Sequence, residues 1–298
     1  LPPWFKQKLA DPIVMSTMER LLDGLGLETI CKNAHCPNIG GCFSAGTATF
    51  LILGDVCTRH CTFCTVKKGH PKPPDMKEPE NLLEAVEKLG LNYVVITSVT
   101  RDDLPDGGAS HFAKTINLLH EKRRGTIVEV LIPDFLGSVE PLEAVVKSCP
   151  EVINHNIETV PRLYTEVRPQ ADYNRSIELL SMVRRLDPAI ITKSGLMLGL
   201  GETKYEVVEV MSDLTEASCD LLTIGQYLQP SPKHHPVVRF VSPEEFNEYE
   251  NIGKEMGFTE VASAPLVRSS FKAMEVYARA KNDRFSTKEG CTPQSGNR

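Results

Sequence analysis

The sequence lacks three features that would assign it to large classes of protein. No apolar run approaches the roughly 18 residues that a membrane-spanning helix needs, and no secretory signal pattern opens the chain. It also lacks an excess of positive charge, since 33 lysines and arginines stand against 39 aspartates and glutamates, for a net charge of −6. We therefore expect neither a membrane nor a nucleic acid as a partner.

The composition is that of an ordinary globular protein, with 41% hydrophobic and 24% charged residues among 298. This length suits one large α/β domain or two small ones. Because the chain has no signal peptide pattern, we expect it in the cytoplasm, or in an organelle if a transit peptide has been removed ahead of Leu1.

Nine cysteines are present, and six of them fall between Cys31 and Cys64. In a reducing compartment, clustered thiols indicate metal ligands rather than disulfides. The other three are scattered. Cys149 and Cys219 precede predicted strands and are expected to be small buried residues, and Cys291 lies in a polar tail.

From residue 47 onward, apolar β-branched runs alternate with charged amphipathic stretches, after an irregular region at 31–46. The predicted strands are 48–53, 93–98, 127–132, 152–158, 190–198 and 221–226. The predicted helices are 78–90, 109–122, 139–148, 173–186, 204–217 and 243–256. This alternation is typical of parallel βαβ units in the α/β class.

An open doubly wound sheet and a partial (β/α)6 barrel both fit six such units. In the fourth strand, Asn154, Asn156 and Glu158 are spaced by two and so share one face. A strand covered by helices on both sides is normally apolar on both faces, so we predict the partial barrel. It is expected to span 47–260, between an N-terminal extension at 1–46 and a C-terminal extension at 261–298.

The sequence Cys57-Thr-Arg-His-Cys61-Thr-Phe-Cys64 directly follows the first predicted strand. Three thiolates on one tight loop suit three corners of a [4Fe–4S] cluster, whose fourth iron stays open. The loop also lies where active sites of β/α barrels lie, at the carboxyl end of a strand. A zinc site is the alternative, although zinc usually takes paired cysteines and four protein ligands.

A second set, Cys31, Cys36 and Cys42, has the spacing CX4CX5C. Gly40 and Gly41 allow the chain to curl around a bulky group there. We interpret these cysteines as ligands of a second cluster.

The CX3CX2C spacing resembles the radical SAM superfamily, and both motifs in this order resemble the lipoyl synthase family. The resemblance runs from about residue 20 to residue 277. Beyond the cysteines, it rests on the blocks Thr97-Ser-Val-Thr-Arg-Asp-Asp-Leu-Pro-Asp-Gly-Gly108, Asn154-His-Asn-Ile-Glu-Thr159, Lys193-Ser-Gly-Leu-Met-Leu-Gly199, Gly225-Gln-Tyr-Leu-Gln-Pro230 and Arg268-Ser-Ser-Phe271.

The resemblance implies two [4Fe–4S] clusters and S-adenosylmethionine (SAM), which binds the open iron and is cleaved to a 5′-deoxyadenosyl radical. The implied reaction inserts sulfur at C6 and C8 of an octanoyl chain on a carrier-protein lysine, with the second cluster consumed as the sulfur donor. The implied partners are a lipoyl domain of a 2-oxoacid dehydrogenase or the glycine cleavage H protein, an electron donor such as ferredoxin or flavodoxin, and a cluster-repair protein. The enzyme itself is expected to be a monomer.

The same resemblance implies that Ser270 is the fourth ligand of the second cluster, although Phe271 stands where the family has Tyr. From the residues alone, Ser269 and Ser270 would instead be expected to cap a following helix. An oxygen ligand is easier to lose than a thiolate, which suits a cluster that surrenders its sulfides.

Residues at the carboxyl ends of the predicted strands are candidates to bind SAM. We expect Thr97 and Ser98 near its amino group, Asn156 and Glu158 near its ribose, and Arg168 at its carboxylate. The acidic loop with Asp102, Asp103 and Asp106 is expected to be a solvated turn, or else to face the substrate.

Three other functions remain open at this stage. The chain fits a different radical SAM enzyme whose second cluster is a permanent electron relay. It also fits an electron carrier or cluster scaffold, and a zinc-stabilised binding module.

Overall fold

The computed structural model of the chain describes residues 1–6, 11–45 and 47–284. The strands are β1 (Glu28–Thr29), β2 (Thr49–Ile52), β3 (Val56–Cys57), β4 (Lys67–Lys68), β5 (Tyr93–Ser98), β6 (Ile127–Leu131), β7 (Val152–Asn154), β8 (Ile191–Leu198), β9 (Leu221–Gln226) and β10 (Glu260–Ser263). The helices are α1 (Pro12–Gly24), α2 (Ile30–Asn33), α3 (Ile39–Ser44), α4 (Glu78–Leu89), α5 (Ala109–Lys122), α6 (Val139–Lys147), α7 (Tyr164–Val167), α8 (Tyr173–Leu186), α9 (Lys204–Glu216), α10 (Pro243–Met256) and α11 (Ala273–Arg284).

One eight-stranded sheet organises the fold, with the order β1-β2-β5-β6-β7-β8-β9-β10. The short β1 pairs antiparallel with β2, and all the other neighbours are parallel. The order never reverses, whereas a doubly wound sheet reverses at its switch point. Successive right-handed crossovers then place α4–α6 and α8–α10 on one outer face. The described sheet has β1 and β10 as its edges and does not close, which confirms the partial barrel.

The predicted boundaries hold closely for most elements, and three regions differ. The strand β10 was not predicted, because Glu-Val-Ala-Ser carries only one β-branched apolar residue and alternates in burial as an edge strand does. The fourth predicted strand ends at Asn154, and Glu158, with a positive φ of 67°, rejoins the sheet only as an isolated bridge to Leu196. The region at 31–46 was expected to be irregular, yet it contains most of α2 and all of α3.

The inward face of the sheet has a polar floor at its amino-terminal side. The Lys193 ammonium lies 2.8 Å from the Glu129 carboxylate, and both side chains are 1% exposed. The Tyr93 hydroxyl donates to the same carboxylate at 2.5 Å. Below this pair, α11 packs Val276 and Tyr277 against the strands and closes the open end.

No helix among the described residues is both long and apolar enough to cross a membrane. Of the scattered cysteines, Cys219 is buried as expected, at 4% exposure. Cys149 is only half-buried, and Cys291 lies outside the described residues.

Replacement of Lys193 by Met should destabilise the fold, because the Glu129 carboxylate would stay buried without its cation. Breaking one partner of a buried pair costs about 3–5 kcal/mol. The measurement is urea unfolding followed by circular dichroism. The matched control is the double variant Lys193→Met/Glu129→Leu, which removes both charges and should recover most of the loss. Equal destabilisation of the single and double variants would contradict a role for the ion pair.

Candidate active site

A cavity of about 490 Å³ opens at the carboxyl edge of the sheet. Alternate residues of the strands form its wall, since side chains along a strand point to one face with a period of two. These wall residues are Thr49, Leu51, Val95, Thr97, Glu129, Leu131, Asn154, Gly195, Met197, Thr223 and Gly225. Five of the six clustered cysteines reach the same cavity: Cys31, Cys36, Cys57, Cys61 and Cys64.

The loop with Cys57, Cys61 and Cys64 is tied to its surroundings by backbone hydrogen bonds. The Thr58 amide donates to the Thr100 carbonyl at 3.1 Å, and the Thr62 amide donates to the Val167 carbonyl at 3.0 Å. These bonds join the loop to the segment that follows β5 and to the last residue of α7.

A buried arginine inside the same loop locks it further. Arg59 is 5% exposed and binds both carboxylate oxygens of Asp102, at 2.7 and 2.9 Å. It also donates to Asp134 at 2.6 Å, and Arg175 reaches the other oxygen of Asp134 at 3.3 Å. Burial alone would raise the pKa of Asp134, but the hydrogen bond and charge of Arg59 outweigh it and hold the pKa at about 2.

Two thiols of this loop, those of Cys61 and Cys64, have raised pKa values. Burial raises the pKa of Cys64 to about 12, and burial also raises the pKa of Cys61 despite the nearby charge of Arg168. Thiolate ligands at these positions would thus need the positive charge of bound iron. Across the described ranges, no three His, Cys, Asp or Glu side chains converge enough to hold a single metal ion. The three thiols of the loop line a cavity of about 490 Å³, which is large enough for a group of several metal ions.

The second cysteine set lies beside the first. Burial raises the pKa of Cys31 to about 11 and also raises the pKa of Cys42. Electrostatic repulsion from the nearby Cys36 raises both pKa values further. Cys31 is on α2 and Cys42 is on α3, so short helices present these thiols. Cys42 is the one clustered cysteine that does not line the cavity among the described residues.

The C-terminal segment brings two serines to the cavity. The Ser269 hydroxyl lies 2.7 Å from Nδ2 and 3.0 Å from Oδ1 of Asn156. The Ser270 hydroxyl also lines the cavity and makes no hydrogen bond to any described residue. Among the described residues, neither serine side chain accepts from an amide of α11, as a side-chain cap would, although the Ser270 carbonyl accepts from the Ala273 amide at 3.4 Å.

Two glycines allow this segment to lie against the strands. A Cβ at Gly225 would meet the Val267 carbonyl oxygen at 2.0 Å, and a Cβ at Gly195 would meet Ser269 Oγ at 3.1 Å. The absence of a Cβ at Gly195 of β8 and at Gly225 of β9 therefore lets the segment with Ser270 approach the cavity.

All five predicted SAM-binding residues line the cavity: Thr97, Ser98, Asn156, Glu158 and Arg168. Within the described part of the chain, the Ser98 hydroxyl and the Arg168 Nε are buried without a hydrogen-bond partner. Unpaired buried polar atoms are costly, so their presence at a cavity fits a polar ligand.

The other candidates already have protein partners. The Thr97 hydroxyl donates to the Leu131 carbonyl at 3.0 Å. The Asn156 amide donates to Glu158 at 3.0 Å as well as to Ser269. Burial raises the pKa of Glu158, against the lowering effect of Arg168.

The acidic loop does not line the cavity. It forms turns, as expected, with Asp103 38% exposed, but its carboxylates also have protein partners. Asp102 binds Arg59, and Asp103 binds Arg101 at 2.8 and 2.9 Å. Asp106 accepts from the amides of Gly108 and Ser110 at the start of α5, at 2.9 and 2.8 Å. Sequence reasoning missed Arg59 and Asp134, although an arginine inside a cysteine loop and an aspartate just after a strand were visible signals.

Replacement of Arg59 by Met should loosen the cysteine loop, because Asp102 and Asp134 would lose their shared cation. The expected cost is about 3–5 kcal/mol for a buried pair. Urea unfolding measures this cost, and the rate of iron release to a chelator reports the loop itself.

The matched control is Arg162→Met. Arg162 binds Glu206 at a similar 2.7 Å but is 55% exposed, so its loss should cost about 1 kcal/mol or less. If the two variants release iron equally slowly, the buried arginine does not secure the loop.

Comparison with known proteins gives both sequence and structural relatives. The radical SAM superfamily model matches residues 51–214. A lipoyl synthase of Caldanaerobacter subterraneus subsp. tengcongensis is 57% identical over 272 residues, or 91% of this chain and 95% of that protein. A lipoyl synthase of Aquifex aeolicus is 58% identical over 258 residues, or 87% of this chain and 94% of that protein.

Solved structures share the fold at low identity. HydG, a maturase of the [FeFe]-hydrogenase, aligns with a TM-score of 0.58 and 16% identity over 71% of this chain. Streptococcus suis SuiB bound to S-adenosylmethionine aligns with a TM-score of 0.56 and 14% identity over 72% of this chain. The match spans 49% of each of those longer chains.

Proposed function

The chain belongs to the lipoyl synthase family of radical SAM enzymes, and we propose that it inserts sulfur at C6 and C8 of a protein-bound octanoyl-lysine to give lipoyl-lysine. The observation that carries this proposal is that ligands from both cysteine motifs and the unbonded Ser270 hydroxyl line one cavity. A radical generated at one wall would then meet a sulfur source at the other.

We assign the radical-initiating cluster to Cys57, Cys61 and Cys64. A [4Fe–4S] cluster bound there supplies the electron that cleaves SAM. The chain's own residues orient the co-substrate. Ser98 and Arg168 offer unpaired buried donors for its polar groups. Glu158 offers an acceptor beside them, which suits ribose hydroxyls.

We assign the second cluster to Cys31, Cys36, Cys42 and Ser270, and treat it as the sulfur-donating substrate. With a cluster bound there, an alkoxide ligand from Ser270 would be held less firmly than the thiolate ligands, so Ser270 would be the ligand lost first. The Asn156–Ser269 contact holds the neighbouring residue in place, which keeps Ser270 at the cavity edge while its own hydroxyl stays available.

The partners follow from the reaction. The substrate is an octanoylated carrier, either the lipoyl domain of a 2-oxoacid dehydrogenase or the glycine cleavage H protein. A one-electron donor such as ferredoxin or flavodoxin reduces the first cluster, and a repair protein rebuilds the second. We propose a cytoplasmic monomer, with N-terminal and C-terminal extensions at 1–46 and 261–298 that supply the second cluster's ligands.

Iron analysis separates the two cysteine sets. Reconstituted protein should hold about eight irons per chain, as two cubanes. Replacing all three of Cys57, Cys61 and Cys64 by Ala should leave about four and abolish SAM cleavage. Replacing Cys31, Cys36 and Cys42 by Ala should also leave about four but keep SAM cleavage.

The control is Cys219→Ala, which alters a buried thiol outside the cavity and should keep the full iron content. Zinc in place of iron, or a single cluster in the unaltered protein, would refute the assignment.

Turnover tests the reaction itself. With an octanoyl-lysine peptide, SAM and a reductant, the protein should form lipoyl-lysine while losing its second cluster in step, for at most one product per chain. Mass spectrometry follows the product and Mössbauer spectroscopy follows the clusters. Repeated turnover with both clusters intact and no repair system would favour the permanent electron relay instead.

A further inference from the structure

A basic strip runs along the outside of the cysteine loop, at residues 67–77. It contains four lysines and one aspartate, in a chain whose net charge is −6. All four lysines are exposed: Lys67, Lys68, Lys72 and Lys77. Met76, in the same strip, is 66% exposed, so the strip offers an apolar contact among its positive charges.

The strip is attached directly to the first cluster's ligands. In the β3–β4 ladder, Lys68 lies opposite Cys57, and the Gly69 amide donates to the Cys57 carbonyl at 3.0 Å. The Lys68 ammonium donates to the Cys61 carbonyl at 3.1 Å. One strand spacing, about 4.8 Å, therefore separates this basic surface from the cysteine loop.

Much of the strip's charge is uncompensated. Lys67 pairs with Asp55, and Lys68 meets a neutral carbonyl. Lys72 and Lys77 form no ion pair with any described residue. Of the other acidic groups, Asp103 binds Arg101 at 2.8 Å and Glu80 binds Lys114 at 3.0 Å. Asp75, within the strip, accepts from the Lys77 amide at 2.9 Å and offsets one of the four positive charges.

We propose that this strip is the docking surface for an acidic one-electron donor protein, an inference that rests on the proposed SAM cleavage. The reduced donor gives one electron and is oxidised by one unit, and the cluster at Cys57, Cys61 and Cys64 accepts it, passing from the 2+ to the 1+ state. Opposite charges steer such encounters. Electron transfer falls off steeply with distance, so the surface nearest the cluster ligands is the productive one.

The position of the strip favours an electron donor over the octanoylated carrier. None of residues 67–77 lines the cavity, whereas the carrier must pass its octanoyl chain into that cavity. A partner bound to the strip can therefore exchange electrons without occupying the cavity that the substrate needs.

The test variant is Lys72→Glu/Lys77→Glu, since neither side chain is paired. The matched control is Lys122→Glu/Lys147→Glu, which reverses two exposed lysines at the carboxyl ends of α5 and α6, at the opposite edge of the sheet. Both doubles change the net charge equally. The readout is stopped-flow bleaching of the reconstituted holoenzyme, with reduced flavodoxin at low salt as the probe.

Loss of steering should lower the second-order reduction rate of the test variant about tenfold, weaken its dependence on salt, and leave the control within about twofold of the unaltered protein. Reduction by dithionite should be equal in all three. An equal fall in the control would indicate net charge alone, and no fall in the test variant would mean the strip is not used. Either result overturns the proposal.

A second experiment tests whether the strip binds the octanoylated carrier protein instead. With dithionite as reductant, the KM for an octanoylated lipoyl domain should be the same in all three proteins. A rise confined to the test variant would make the strip the carrier's surface and overturn the electron-donor assignment. If the unaltered protein with dithionite fails to cleave SAM, the proposed function falls and this inference falls with it. That result is distinct from a change in reduction rate alone.

Discussion

The parallel direction of the strands is the constraint on which this site depends. Because β2 and β5–β9 run the same way in sequential order, their carboxyl ends meet at one curved edge. Residues more than a hundred positions apart in the chain, such as Asn156 and Ser269, come into hydrogen-bond contact there. The curvature also encloses a lumen, whose floor is sealed by the buried Lys193–Glu129 pair. A flat sheet with helices on both faces would offer no such enclosed wall.

Buried ion pairs hold the cysteine loop at this edge of the sheet. Arg59 joins Asp102, after β5, to Asp134, after β6. Because the Asp134 pKa is depressed to about 2 from its ordinary 3.8, the stabilisation from this carboxylate is present above pH 3.8 and is lost as pH falls through about 2. The contact between Arg59 and Asp134 therefore persists at neutral pH and weakens only in strong acid.

Periodicity predicted the elements of this fold because each depends mainly on its own residues. The helices α5, α8 and α10 have the predicted bounds, since apolar spacing and caps are local signals. Local patterns could not show that Glu158 would adopt a φ of 67° and rejoin the sheet only at an isolated bridge to Leu196, or that Arg59 would bind Asp102 and Asp134. The contacts of Arg59 form only when folding brings distant segments together. Arg59 and Asp134 are 75 positions apart, a separation at which no periodicity operates.

The barrel alone does not determine what chemistry the site performs, because one fold hosts many activities. In this chain, residues near both ends of the sequence line the same cavity. Cys31 and Cys36 come from the N-terminal region, and Ser270 comes from the C-terminal region. Ser270 can approach the cavity because position 225 lacks a side chain, since any Cβ at Gly225 would collide with the Val267 carbonyl. Two strand glycines thus determine how closely the segment with Ser269 and Ser270 can approach the wall of the cavity. A chain with the same cysteines but a larger residue at position 225 would keep the cysteine loop and displace the two serines.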